Sequence, residues 1–144
     1  QSRVLPSSGI SKINAYKKIG NFINDNLPPD IKISTSEIGV LGFFANRYLI
    51  DLGGLIAPSM SYTIKRKSMG NTSFLHYIGC EYSIKIFNED EFNEISKSGF
   101  LSVRGLLYEL IRVEEFHSQV ASIRPRKLYM ALCFIDYSSK EHKG

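Results

Sequence analysis

Apolar residues recur every three to four positions at Ile10, Ile13, Tyr16, Ile19, Phe22 and Ile23, with Lys12, Lys17, Lys18, Asn21 and Asp25 between them. That spacing predicts an amphipathic helix from Ile10 to Asn26, because side chains three and four apart share one helix face. Pro28-Pro29 stops it: neither ring carries an N–H to donate, and Pro28 disfavours helical backbone at Leu27. Ile31 and Ile33 then alternate with Lys32 and Ser34, the period of a short strand that reaches Thr35. From Ile38 to Ala57 the chain is almost continuously apolar, interrupted by Asn46-Arg47, Asp51 and Gly53-Gly54. A strand at about Tyr48 to Leu52 followed by a glycine turn is expected there, in the densest part of the core.

Further along, Lys65-Arg66-Lys67 and Gly70-Asn71 mark a loop, and Phe74, Leu75, Tyr77 and Ile78 read as a short helix leading to a strand at Tyr82 to Phe87. Asn88-Glu89-Asp90-Glu91 opens a second helix: Asn88 can cap it, Glu91 falls at the capping-box position, and the acids suit the positive helix end. Gly99 is its expected stop. Leu106 to Val113 fits helix or strand, whereas Leu128 to Ile135 fits a strand buried on both faces. Pairing the two as strands, joined by the polar, proline-containing segment His117 to Lys127, is the preferred reading. No repeat, low-complexity stretch or internal boundary interrupts the pattern. One domain spanning residues 1–144 is therefore expected, of α/β class with α+β as its near variant, a mixed sheet flanked by two or three helices.

Composition narrows the field. A chain of 144 residues that is 43% apolar and 22% charged can bury a complete core, which excludes disorder and a disulfide-stapled miniprotein. The longest stretches free of Asp, Glu, Lys and Arg, Leu52 to Ile64 and Ser68 to Cys80, fall short of the roughly 20 apolar residues of a spanning helix. The segment is expected to be soluble by itself. It starts at Gln1 with no signal-peptide pattern, and so is expected to be a piece of a larger protein. Cys80 and Cys133 lie among apolar neighbours, which favours buried free thiols over a disulfide between them.

Few residues announce chemistry. No serine lies in a Gly-x-Ser-x-Gly elbow, and neither cysteine has a nucleophile signature around it. His76 and Cys80 are four apart, with His117 and Cys133 as completing ligands, but the set lacks the paired close spacings of zinc sites, and a buried Cys with a surface His is preferred. Gly53-Gly54 lacks the Lys-Ser/Thr of a P-loop, and Gly39-x-x-Gly42 lacks the third glycine of a dinucleotide fingerprint. No metal and no cofactor is expected. Glu37 and Asp51 flank the apolar stretch and suggest the acid/base pair of a small free-standing hydrolase, although Asp51 closing a turn or pairing with Arg47 is simpler. The net charge is +4, clustered at Lys12/Lys17/Lys18, Lys65-Arg66-Lys67 and Arg124/Arg126/Lys127. That raises nucleic acid or an anionic membrane surface as partners. No nucleic-acid motif accompanies the clusters, so nucleic acid is not expected, and a small basic binding module stands as a rival.

The segment Ser36 to Pro58, with Glu37-Ile38-Gly39-Val40-Leu41-Gly42-Phe43, then Arg47, then Asp51-Leu52-Gly53-Gly54-Leu55-Ile56-Ala57-Pro58, is more specific. It resembles the extracytoplasmic carboxy-terminal domain of multi-spanning membrane glycosyltransferases that use lipid-phosphate-linked sugars, the mannosyl and aminoarabinose transferases. In that family a helix and a Pro/Asp turn lead into a strand, then Glu-x-Gly-x-x-Gly-Tyr/Phe, polar residues with Arg, and Asp-x-x-Gly-Leu-x-x-Pro. Here the helix is Ile10 to Asn26 and the turn Pro28-Pro29-Asp30. Phe43-Phe44 stands where an aromatic with a hydroxyl is common, and Gly53 where Ala is common. The likeness covers residues 10–58, and the rest joins it only by a compatible order of elements.

The resemblance implies an accessory domain on the extracytoplasmic face of the cell membrane, not itself catalytic. Its partner would be the membrane-embedded remainder of the same chain, which holds the catalytic carboxylate, and its ligand a glycan or lipid-linked sugar acceptor. The binding candidates are Glu37, Arg47, Tyr48 and Asp51, with Phe43, Phe44 or Tyr48 able to stack a sugar ring, though core packing is the simpler job for these aromatics. Gly39, Gly42, Gly53 and Gly54 are expected to permit tight turns or close backbone approach.

Overall fold

The computed structural model describes residues 7–35, 48–51, 75–103, 105–118 and 126–138. In chain order these form α1 (Ser7–Asn26), β1 (Lys32–Thr35), β2 (Tyr48–Asp51), one helical turn at 75–77, β3 (Tyr82–Asn88), α2 (Glu89–Ser96), β4 (Phe100–Val103), β5 (Leu106–Ser118) and β6 (Arg126–Asp136). All six strands belong to one sheet of order β2-β1-β3-β6-β5-β4. β2, β1 and β3 run parallel, and β3, β6, β5 and β4 pair antiparallel. The fold is α/β with a mixed sheet, as the hydrophobic periods predict.

α1 forms where the three-to-four spacing places it, beginning three residues earlier than Ile10. Ala15, Tyr16, Ile19 and Ile23 are buried on the sheet's first face against Ile33, Ile84, Phe116, Met130 and Leu132. Each fully buried isoleucine is worth roughly 1.5–3 kcal/mol over leaving it in water. The last turn closes when Leu27 N donates to the Ile23 carbonyl at 2.9 Å, and the chain then enters Pro28-Pro29. Near the start of the helix, Ser11 Oγ accepts from His117 N at 2.9 Å, tying α1 to the far end of β5.

On the second face Ile50, Leu75, Cys80, Phe87, Ile95, Leu106, Tyr108, Ala131, Cys133 and Ile135 form the other half of the core. α2 closes part of this face through Ile95 and through Phe92, whose ring stacks on Tyr129 at 4.1 Å. The expected stop holds: Gly99 N donates to the Ile95 carbonyl at 2.8 Å, and Gly99 adopts φ of +80°, a conformation without strain only for glycine.

β5 changes faces midway. Its register with β6 slips between Leu110 and Arg112, leaving Ile111 as an extra residue. Before the bulge Leu106, Tyr108 and Leu110 look to the second face; beyond it Val113 does, while Phe116 packs under α1. Arg112 and Glu114 follow Phe116 by alternation, and Glu114 receives Arg112 at 2.7 Å and Lys18 of α1 at 3.9 Å.

Three expectations need adjustment. Leu106 to Val113, ambiguous by period, is strand and pairs with β6 as preferred, but the connection to β6 is shorter than His117 to Lys127, since those two residues pair across the ladder. Of the short helix expected from Phe74 to Ile78, the described residues hold one turn at 75–77, ended at Gly79, whose φ is +76°. β4 has no counterpart in the sequence reading. Of the apolar stretch Ile38 to Ala57, only β2 is among the described residues, within the predicted Tyr48 to Leu52.

Candidate functional site

The parallel half of the sheet contains its topological reversal. β1 lies between β2 and β3, so the chain steps from β1 to one side and then returns past it to the other. In sheets of this kind ligands bind beyond the carboxyl ends of the strands, next to such a reversal. At that edge Thr35, the last residue of β1, pairs with Asp51, the last of β2, and on its other side with Ile84 of β3. β3 continues for four more residues, Lys85 to Asn88, along β6.

Two of the four sequence-derived binding candidates are in β2, at opposite ends. Tyr48 pairs with Lys32 at the strand's start and Asp51 with Thr35 at its finish, about 10 Å apart for three residues of strand. Asp51 is therefore at the reversal edge and Tyr48 is not. Glu37 follows Thr35 by two positions in the sequence, and Gly53-Gly54 follow Asp51 by two and three. Glu37, Arg47, Gly39, Gly42, Gly53 and Gly54, with Phe43 and Phe44, lie outside the described residues.

Next to that edge the second face carries a groove of about 540 Å³, lined on the sheet side by Lys85, Phe87 and Leu101 and on the helix side by Glu91, Glu94 and Ile95. Strand alternation puts Ser83, Lys85 and Phe87 on this face, with Cys133 of β6 and Tyr108 of β5 beside them. The Lys85 ammonium sits 4.4 Å from the centre of the Tyr108 ring. Among the described residues it has neither a carboxylate nor a carbonyl partner. Burial lowers its pKa, an effect the neighbouring Cys133 partly offsets. Cys133, fully buried, has its thiol pushed up to about 12 by desolvation, with the Lys85 charge acting the other way. Both groove carboxylates are engaged: Glu91 Oε1 accepts from Asn88 N at 2.8 Å, and Glu94 Oε2 pairs with Lys97 at 3.0 Å.

Lys85 is the residue that sequence reasoning missed. In Tyr82-Ser83-Ile84-Lys85-Ile86-Phe87 a lysine reads as the solvent side of an alternating strand, yet it shares parity with Phe87, and both faces of β3 are covered. That shared parity was the available signal.

The zinc set does not assemble among the described residues. His76 is exposed and stacks on Tyr137 at 4.5 Å, Cys80 turns inward, and His117 is beside Ser11 at the far end of β5. The Cys80 thiol lies 3.2 Å from the Tyr82 carbonyl and 3.6 Å from that of Lys32. Burial raises its pKa, against a lowering hydrogen bond with Ser34. Tyr137 donates its hydroxyl to the Cys80 carbonyl. Both cysteines are free and buried. Cys133 pairs with Ser83, three residues beyond Cys80, which puts the two cysteines more than the roughly 7 Å a disulfide can span.

A second, polar groove of about 350 Å³ lies where α1 meets the bulged part of β5, between Lys18, Asn21, Asp25 and Arg112. Arg112 covers the Phe22 ring at 5.6 Å and is held by Glu114 through two contacts of 2.7 Å, so its guanidinium is already committed.

No curated protein and no solved structure matches the chain. A family model does, described as a domain of unknown function, DUF8728, and its match runs from residue 9 in α1 to residue 129 in β6. That span includes α1, the reversal edge and the Lys85 groove, most of the chain, and so the protein belongs to the DUF8728 family.

Proposed function

We propose that the chain is an extracytoplasmic accessory domain of an integral membrane glycosyltransferase, serving acceptor or glycan binding and leaving the chemistry to a membrane-embedded remainder of the same protein. The observation that supports this reading is where the two described strands that precede the halves of the Glu37 to Pro58 motif end. The motif's first part begins two residues after β1 ends at Thr35, and its second part opens at Asp51, which ends β2 directly beside Thr35. β1 and β2, each followed in sequence by one half of the motif, thus end side by side at the carboxyl edge next to the strand-order reversal, where α/β sheets bind ligands. The order helix, Pro-Pro-Asp turn, strand and motif also agrees with the resemblance.

The coding frame upstream of Gln1 tests the proposal. Several apolar stretches of about 20 residues, with an acidic residue in the first outward loop, are expected. A frame that opens just before Gln1, with no such stretch on either side, overturns it.

A further inference from the structure

The Lys85 groove presents a problem of charge. Lys85 is half-buried, and a half-buried ammonium gains from an opposite charge and hydrogen-bond acceptors that replace the hydration it has lost. The Tyr108 ring face supplies part of that compensation. Cys133, whose charge would act on Lys85, remains a neutral thiol at physiological pH, since its pKa is pushed up to about 12. Glu91 and Glu94 are engaged with the Asn88 N–H and with Lys97. Among the described residues, then, no carboxylate pairs with Lys85 directly, although Glu91 and Glu94 line the same groove, and a partner anion would reach the ammonium through that groove.

We propose that this groove binds a small amphipathic monocarboxylate, its carboxylate paired with Lys85 and its hydrocarbon body lying along Phe87, Ile95 and Leu101. The cavity of about 540 Å³ falls in the range of small-molecule sites, and these walls are apolar. A single negative charge fits better than a phosphate dianion, because Glu91 and Glu94 line the same groove and repel each added charge. The inference is independent of the accessory-domain reading: it concerns an unpaired cation and a groove, whatever protein the domain is part of.

Octanoate is the probe. Calorimetric titration of the full chain is expected to give saturable binding that weakens by about tenfold or more in Lys85→Met, a variant that keeps the apolar stem and removes the charge. Octanol is expected to bind weakly and equally to both proteins, and octyl phosphate more weakly than octanoate to the wild type. As a readout that needs no variant, the isotopically dimethylated Lys85 amine is expected to shift on octanoate addition while the exposed Lys97 amine does not. No saturable octanoate binding, equal binding by Lys85→Met, tighter binding of octyl phosphate, or an unmoved Lys85 resonance each overturns the proposal.

Discussion

Asn88 and Glu91 exchange hydrogen bonds: Asn88 N donates to Glu91 Oε1 and Glu91 N donates to Asn88 Oδ1, each at 2.8 Å. Asn88 is at once the last residue of β3 and the cap of α2, so strand passes into helix with no loop between them. The exchange satisfies two amide groups that a helix start leaves without partners. Asn88→Ala is expected to cost about 1 kcal/mol of stability, and Asn88→Ser, which restores the acceptor, to recover most of it. Urea midpoints of the three proteins decide this, and an unchanged midpoint in Asn88→Ala would remove the cap from the account of how α2 is held.

That capping box was legible from Asn88 and Glu91 in the sequence, as was α1 from its isoleucine spacing, because each signal is local. β4 was not: Phe100 and Ser102 are exposed, Leu101 and Val103 are half-buried, and four residues of weak alternation are too few to register. His117 and Lys127 looked like connector because they are polar, but in an antiparallel pair polar residues can face water and still hold the ladder. The placement of Asp51 beside Thr35 was illegible for a different reason: parallel pairing depends on crossovers, which leave no mark at the paired positions.

Lys85, half-buried and without an ion-pair partner among the described residues, is expected to contribute little to stability. Replacing a desolvated cation by an apolar side chain of similar length removes the cost of burying the charge. Lys85→Met is expected to match the wild type at neutral pH or exceed it by about 1 kcal/mol. A clear loss of stability in chemical denaturation would mean that the ammonium has a structural partner, and would weigh against an open anion site.

The buried thiols contribute to the alkaline behaviour. Cys133 has a folded-state pKa of about 12 against an ordinary value of 9.0, so above pH 9 the unfolded chain releases this proton first and the folded state loses ground. The contribution is complete below pH 9 and disappears as the pH rises toward 12, at a slope of up to about 1.4 kcal/mol per pH unit. Cys80, Tyr82 and Tyr137, whose pKa values burial also raises, act in the same direction, and Lys85, whose pKa is lowered, in the opposite one. The stability gap between wild type and Cys133→Ala should therefore narrow as the pH climbs past 9. Denaturant midpoints across that range measure it, and a gap that stays constant would show the thiol does not titrate with unfolding.

Ile111 works by its presence rather than its identity. Its side chain is 39% exposed, yet the extra residue switches β5 between faces. Ile111→Thr is expected to change stability by no more than about 0.5 kcal/mol. Deleting the residue should prevent folding, because Phe116 would then leave the α1 side and Arg112 and Glu114 would turn into the second half of the core. Circular dichroism of the deletion decides the matter, with a native-like cooperative melt as the outcome that sinks the argument.

The lengths of the outer strands have a consequence for how copies of this chain meet. β5 and β6, with 13 and 11 residues, lie inside the sheet, whereas β2 and β4 at its two borders have four each. The two short borders themselves offer a passing strand little backbone, but β4 pairs only with Leu106 to Glu109, and beyond the bulge the outer side of β5 has no strand partner among the described residues. The border of this sheet that stands open to another strand is therefore the second half of β5, where Arg112, Glu114 and Glu115 put charge along the strand and oppose such pairing.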